Sequence, residues 1–145
     1  IVKIIAYGSL QNRQSLEATL GRSVTYGRTK VIGYEKVFNA PFGNYAFLNL
    51  RKNTSASFTC VYFTIQPGEL CKFKDREAGS VLAEIMPDFW AFVWPESYCR
   101  ALPVLQSYID VCEKGYAQNT LDFWRSTVTP KTFVNDRKQP IYSVT

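Results

Sequence analysis

The chain has 145 residues, with ten Phe, nine Tyr and three Trp among them and no histidine. That length supports one substantial core and not two, so residues 1–145 are expected to form a single domain, and the aromatic content excludes disorder as the dominant state. Seventeen Lys and Arg against twelve Asp and Glu give a net charge of +5, but no basic stripe forms: the densest cluster, Lys72, Lys74 and Arg76, is broken by Asp75 and Glu77, so nucleic acid is not an expected partner.

In chain order, the apolar run 1–7 reads as a buried strand that leads into the glycine-permitted turn Tyr7-Gly8-Ser9-Leu10, where backbone N–H groups and a hydroxyl can converge on a ligand. Ser15 is expected to cap a short helix that runs to Leu20 and is closed by Gly21. Residues 24–39 read as two strands broken at Gly27 and Gly33, and Pro41-Phe42-Gly43-Asn44 as a turn. Residues 45–50 and 57–65 read as strands separated by a polar turn at Lys52-Asn53-Thr54-Ser55. Pro67 opens a helix expected to reach Ala78 before Gly79 stops it. Leu70, Phe73 and Glu77 then share one face, and a carboxylate closing an apolar stripe is either paired with a cation or held for chemistry.

Residues 81–85 and 89–93 read as strands around the turn Pro87-Asp88. Residues 103–125 read as one helix or two, with Leu105, Tyr108, Ile109 and Cys112 on one face, and 127–145 as an irregular tail long enough to close over something.

Cys60, Cys71, Cys99 and Cys112 show no C-x-x-C spacing, and with no histidine to complete a set neither zinc nor another metal is expected. Reduced thiols in a cytoplasmic protein are the expectation. The first residues lack the charged flank and small-residue cleavage site of a signal peptide, and no stretch reaches membrane-spanning length, so no membrane partner is expected. Ile1 is not a methionine, so residues are expected to precede it. The missing histidine also removes the commonest general base and any Ser-His or Cys-His pair, leaving acid–base work to a carboxylate, Lys, Tyr or Cys.

Five ordered segments carry a resemblance: Tyr7-Gly8-Ser9-Leu10; Ser15-Leu16-Glu17-Ala18-Thr19-Leu20-Gly21-Arg22; Gly33-Tyr34-Glu35-Lys36-Val37-Phe38-Asn39; Asp75-Arg76-Glu77-Ala78-Gly79; and the helical stretch from Ser107-Tyr108 to Gly115. Together they resemble the γ-glutamylcyclotransferase family, in particular bacterial and phage-type members. The resemblance implies an α+β fold, a small mixed β-barrel with packed helices. It implies a reaction in which the α-amine of a γ-glutamyl group attacks its own γ-carbonyl to give 5-oxoproline and a free amine, with no metal and no cofactor. Carried over residue by residue, Glu77 is the general acid/base, and Tyr7, Gly8, Ser9 and Leu10 form the substrate loop, with Tyr108 a further substrate-binding residue. The partner implied is a small γ-glutamyl compound: glutathione, a γ-glutamyl amino acid or a γ-glutamylamine. Many relatives carry a Tyr three or four residues beyond the Glu, where this chain has Ser80 and Val81, which alters one pocket wall.

The residues themselves leave alternatives open. Glu77 is either catalytic or an internal ion-pair partner of Arg76 or a Lys; Tyr7 and Tyr108 are pocket or core; Ser9 touches ligand or stabilises its turn. Asn39 is expected to bond backbone at a strand end, and Asn135-Asp136-Arg137 suits a polar lid or a solvated surface. The alternative function is a non-catalytic relative that uses the same pocket for a small anionic ligand or a protein partner. Oligomeric state is left open.

Overall fold

The computed structural model describes residues 1–115 and 120–143. One mixed five-stranded sheet organises the molecule, made of β1 (Val2–Ala6), β2 (Gly27–Phe42), β3 (Tyr45–Ile65), β4 (Val81–Met86) and β5 (Phe89–Val93) in the order β2-β3-β1-β5-β4. β1 sits at the centre, antiparallel to β3 and parallel to β5. The sheet curls into a half-barrel.

The alternation of side chains along a strand sends β1 into two cores. Ile4 and Ala6 pack with Leu16, Leu20, Phe63 and Phe73 on one face. Ile5 and Tyr7 pack with Leu48, Tyr108 and Ile109 on the other. The residue after Tyr7 therefore emerges at the border between both cores, where a loop can be held from two sides.

β2 and β3 form a single long hairpin, where the sequence pattern predicts four shorter strands. Gly33 does not break β2; it takes φ 85° at a bulge between Ile32 and Tyr34, a conformation open to glycine. The expected turn at residues 52–55 is likewise continuous strand. There Asn53 donates across the hairpin to the Glu35 carboxylate at 3.1 Å, beside Arg51, which pairs with the same carboxylate at 2.7 Å. Cross-strand pairing thus overrides the local turn chemistry. The true turn is at Gly43 and Asn44, within the expected cluster.

Helix α1 (Arg13–Leu20) is capped by Asn12, not Ser15. The Asn12 side-chain oxygen accepts from the Ser15 backbone N–H at 3.1 Å, so Ser15 lies inside the first turn. Gly21 closes the helix at φ 71°. The predicted helix over 67–78 is present only as a 3-10 helix at Pro67–Phe73 followed by turns. Its start is a reciprocal cap between Gln66 and Glu69. Beyond Phe73 one α-type bond is made, from Glu77 N–H to the Phe73 carbonyl at 2.8 Å, followed by 3-10 type bonds. Gly79, at φ 93°, ends the segment, and a Cβ there would stand 2.2 Å from the Trp94 ring.

β4 and β5 form the expected pair. The 103–125 region holds α2 (Gln106–Gly115) and α3 (Thr120–Trp124), with 116–119 outside the described residues. A small parallel pair, β6 (Val104–Leu105) and β7 (Phe133–Val134), ties the otherwise irregular tail beneath α2. Lys36 is fully buried; its Nζ donates to the Phe123 carbonyl at 2.7 Å and lies over the Phe58 and Phe123 rings, fastening α3 to the sheet. Burial lowers its pKa to about 8. All four cysteines are free thiols. Among the described residues no helix is long and apolar enough to cross a membrane.

Candidate active site

A cavity of ≈ 460 Å³ opens at the C-terminal end of β1. Its walls come from five places: residues 7–10, α1, the 75–78 turn, the end of β5 around Phe92 and Trp94, and a face shared by the hairpin, α2 and the tail. Tyr7, Gly8, Ser9, Leu10, Glu77 and Tyr108, the six residues singled out in the sequence, all line it.

Glu77 reaches the cavity because the single helical turn after Phe73 keeps the predicted face. Phe73 is buried in the core with Phe63 and Phe92, and Glu77, one turn later, points past it into the pocket. Desolvation by the surrounding protein raises the Glu77 pKa from 4.5 to about 7. The Arg76 guanidinium, its Nε 3.8 Å from the carboxylate, opposes that shift without reversing it. One-fifth of the side chain stays accessible, through the cavity. A carboxyl that titrates near neutrality and meets solvent only through a pocket can both take and return a proton there.

Arg76 is the positioning residue that the sequence reading left among the scattered charges. It donates to the Ser15 carbonyl at 2.9 Å, to the Thr19 hydroxyl at 3.0 Å and to the Ser9 hydroxyl at 2.9 Å. One guanidinium thus fastens the 75–78 turn to α1 and to the loop after β1. The planar fork of Arg suits this multiple donation, which an ammonium could not reproduce. Its role as a bare ion-pair partner of Glu77 is secondary to that of a strut.

The loop itself is built on close packing. The Tyr7 hydroxyl donates to the Phe92 carbonyl, and burial, with the nearby Glu77 carboxylate adding to it, raises the phenol's pKa well above its usual value. Tyr7 is therefore both core and pocket wall. Gly8 is buried, and a Cβ added to it would meet the Tyr108 hydroxyl at 3.0 Å. Ser9 and Leu10 begin a 3-10 turn, Ser9–Gln11, whose first bonded amide is that of Gln11, onto the Gly8 carbonyl. The N–H groups of Ser9 and Leu10 therefore precede any intrahelical acceptor. Leu10 is buried with Leu16 and lines the cavity with its backbone neighbours.

Facing this polar end is an aromatic wall. Phe47 stacks on Tyr108 with ring centroids 4.1 Å apart and on Phe42 at 4.7 Å. Tyr142 meets both Phe47 and Tyr108 edge-on at 5.1 Å. Tyr108 is 3% exposed and Phe42 56%, so the wall runs from the floor to the rim. Tyr108, like Tyr7, is core and lining at once; its hydroxyl accepts from Leu48 N–H at 3.1 Å.

The tail delivers Tyr142 through Asp136. That carboxylate accepts from Ser107 N–H at 2.9 Å, Ser107 hydroxyl at 2.6 Å and Ile141 N–H at 2.8 Å. Arg137 adds an ion pair to Asp110 at 2.8 Å. Through Asp136 and Arg137 the Asn135-Asp136-Arg137 segment is a clasp on α2: Asp136 is buried, while Asn135 and Arg137 stay at the solvated surface. Asn39 lies at the second β2 bulge and does not line the cavity; its side-chain oxygen is buried without a hydrogen-bond partner, while its main-chain carbonyl accepts from Arg100 N–H at 2.8 Å. Among the described residues no cluster of Cys, Asp or Glu is arranged to hold a metal ion.

No known family's sequence profile matches the chain, and no curated protein matches it. Solved structures do. A gamma-glutamyl cyclotransferase superposes with a TM-score of 0.65 at 11% identity, over 83% of this chain and 80% of that one. An uncharacterized protein, loc79017 from Homo sapiens, superposes with 0.69 at 10% identity, over 92% and 91%. YkqA from Bacillus subtilis gives 0.64 at 16%, over 80% of this chain, which spans about half of YkqA (48%). At such identities the likeness is one of fold: the chain has the γ-glutamylcyclotransferase-like fold, an α+β half-barrel with packed helices.

Proposed function

We propose that the chain is a γ-glutamylcyclotransferase that converts a γ-glutamyl amine or peptide into 5-oxoproline and the free amine. The observation that carries this reading is a carboxyl group, that of Glu77, with a pKa near 7 in one cavity with the loop from Gly8 to Leu10. The substrate's α-amine is already tethered to its target carbonyl, so no protein nucleophile is required and the entropic gain of tethering is built into the substrate. What the protein must supply is proton movement, orientation and charge stabilisation.

Glu77 as carboxylate takes a proton from the α-ammonium. The freed amine attacks the γ-carbonyl carbon and forms the five-membered ring and a tetrahedral oxyanion. Glu77 as acid then protonates the departing nitrogen as its bond to carbon breaks. The ring nitrogen gives its second proton to the regenerated Glu77 carboxylate, which passes it to the departing amine, so the attacking nitrogen loses two protons and the amine leaves as an ammonium. The N–H groups of Ser9 and Leu10, which have no intrahelical acceptor, are the donors this reading assigns to the oxyanion or to the substrate's α-carboxylate. A pKa near the working pH serves both transfers. A buried carboxylate would weaken a pocket meant only to bind anions, which favours the enzymatic reading over the non-catalytic one.

The test is incubation with glutathione, γ-glutamyl amino acids and γ-glutamylamines, scored for 5-oxoproline. Cyclisation of at least one class is expected. Absence of product from every class would reject the reaction.

A further inference from the structure

Resting on the cyclotransferase reading, we infer that the leaving group is an apolar, uncharged amine substituent, so that the substrate is a γ-glutamylamine and not a γ-glutamyl α-amino acid or peptide. Two independent features of the cavity lead there. The first is its charge inventory. Of the described residues lining it, Arg76 is the one cation, set beside two acids, Asp75 and Glu77. Its guanidinium is already engaged by Ser9, Ser15 and Thr19, and it lies at the Glu77 end. Every γ-glutamyl compound brings one α-carboxylate of its own, and that end of the cavity, with Arg76 and the Ser9 and Leu10 N–H groups, is where such a group finds partners. A leaving α-amino acid or peptide brings a second carboxylate, which has no cation left to meet and two like charges nearby. A carboxylate drawn out of water without a partner is disfavoured.

The second feature is the surface facing that position. Tyr108, Phe47, Phe42 and Tyr142 form one continuous ring-on-ring wall from floor to rim. Pro41 joins it at the hairpin tip. Such a wall gains from covering an apolar or aromatic substituent and offers a carboxylate no cation. The ring stack ends at Phe42, more than half exposed, so a substituent of several carbons lies along it without filling a closed pocket.

Three probes decide the matter: γ-glutamyl-phenethylamide, γ-glutamyl-phenylalanine, which differs by a single carboxylate, and γ-glutamyl-methylamide, which lacks the ring. 5-Oxoproline formation should give a kcat/KM for the phenethylamide about tenfold or more above each of the others. The rim variant Phe42→Lys supplies the missing cation and should narrow the ratio between phenethylamide and phenylalanine conjugates several-fold. Equal or faster turnover of the phenylalanine conjugate by the unaltered protein would overturn the inference and leave the cyclotransferase reading standing. No product from any of the three, nor from glutathione, would overturn both.

Discussion

Arg76 donates to the hydroxyl of Ser9 at 2.9 Å, joining two residues that stand 67 positions apart in the chain. That bond sets the distance between the loop after β1 and the turn that carries Glu77, because the same guanidinium also grips α1. Replacing Arg76 by Lys keeps the charge but loses the fork. Arg76→Lys is expected to lower kcat/KM on the order of tenfold, and Arg76→Met further. In a double-mutant cycle with Ser9→Ala the two effects should be strongly non-additive, whereas additive effects would show that the bond does not position the loop.

Gly8 packs where a Cβ would press on the Tyr108 hydroxyl at 3.0 Å. Gly8→Ala should destabilise the protein by about 1–3 kcal/mol and reduce activity, as an added methyl group forces neighbours apart. Removing the obstructing oxygen with Tyr108→Phe should relieve part of that cost, since the next neighbour, Leu48, is 3.6 Å away. Thermal unfolding of the two single variants and the double variant checks it; a double variant no better than the sum of the singles would place the strain elsewhere.

Asp136 holds the tail by three hydrogen bonds. Asp136→Ala should cost about 1–3 kcal/mol, as it leaves buried donors on Ser107 unpaired. Because Tyr142 follows the clasp into the aromatic wall, KM should also rise. Burial pushes the Asp136 pKa up, but the bonds from Ser107 and Ile141 outweigh it and hold the group below 3.8. Its stabilisation is therefore present above that value and lost as pH falls through the lower native pKa. An unchanged KM in the folded variant would separate the clasp from the site.

The Glu77 shift has the opposite sign. Its native pKa is raised from 4.5 to about 7, so the folded state binds the proton more tightly than the unfolded one. Stability associated with this group is full below about pH 4.5 and is lost as pH rises through 7. Glu77→Gln should accordingly remove that decline, leaving the variant more stable than the parent at about pH 8. In the parent protein the kcat/KM of the proposed reaction should fall about tenfold per pH unit below pH 7, as the base is titrated. Melting temperature and initial rate followed over the same pH range test both; a flat rate profile through neutrality would argue against a base with this pKa.

Much of the site was legible because its parts are local. The Gly8 turn follows a strand whose apolar run is unambiguous, and the spacing from Leu70 and Phe73 to Glu77 survives although the predicted helix is mostly 3-10 and turn. The long hairpin was not legible. Gly33 and the polar stretch at 52–55 carry turn chemistry, and only the facing strand, through pairs such as Glu35 with Arg51, makes them strand. Arg76 and the aromatic wall were hidden for a related reason. Their partners are brought together by the curl of the sheet and by the tail, so nothing in the spacing of Phe42, Phe47, Tyr108 and Tyr142 announces a common surface. Nothing local marks Lys36 as buried, because its partner, the Phe123 carbonyl, is 87 positions away.

The central claim is that the Glu77 carboxyl moves the protons of cyclisation. Its most direct measurement is 5-oxoproline formation by Glu77→Gln, which keeps the side chain's size and most of its hydrogen bonding but cannot shuttle a proton. The account predicts a loss of turnover on the order of a hundredfold or more in a protein that still unfolds cooperatively and still binds substrate. An unchanged rate per folded molecule would contradict it.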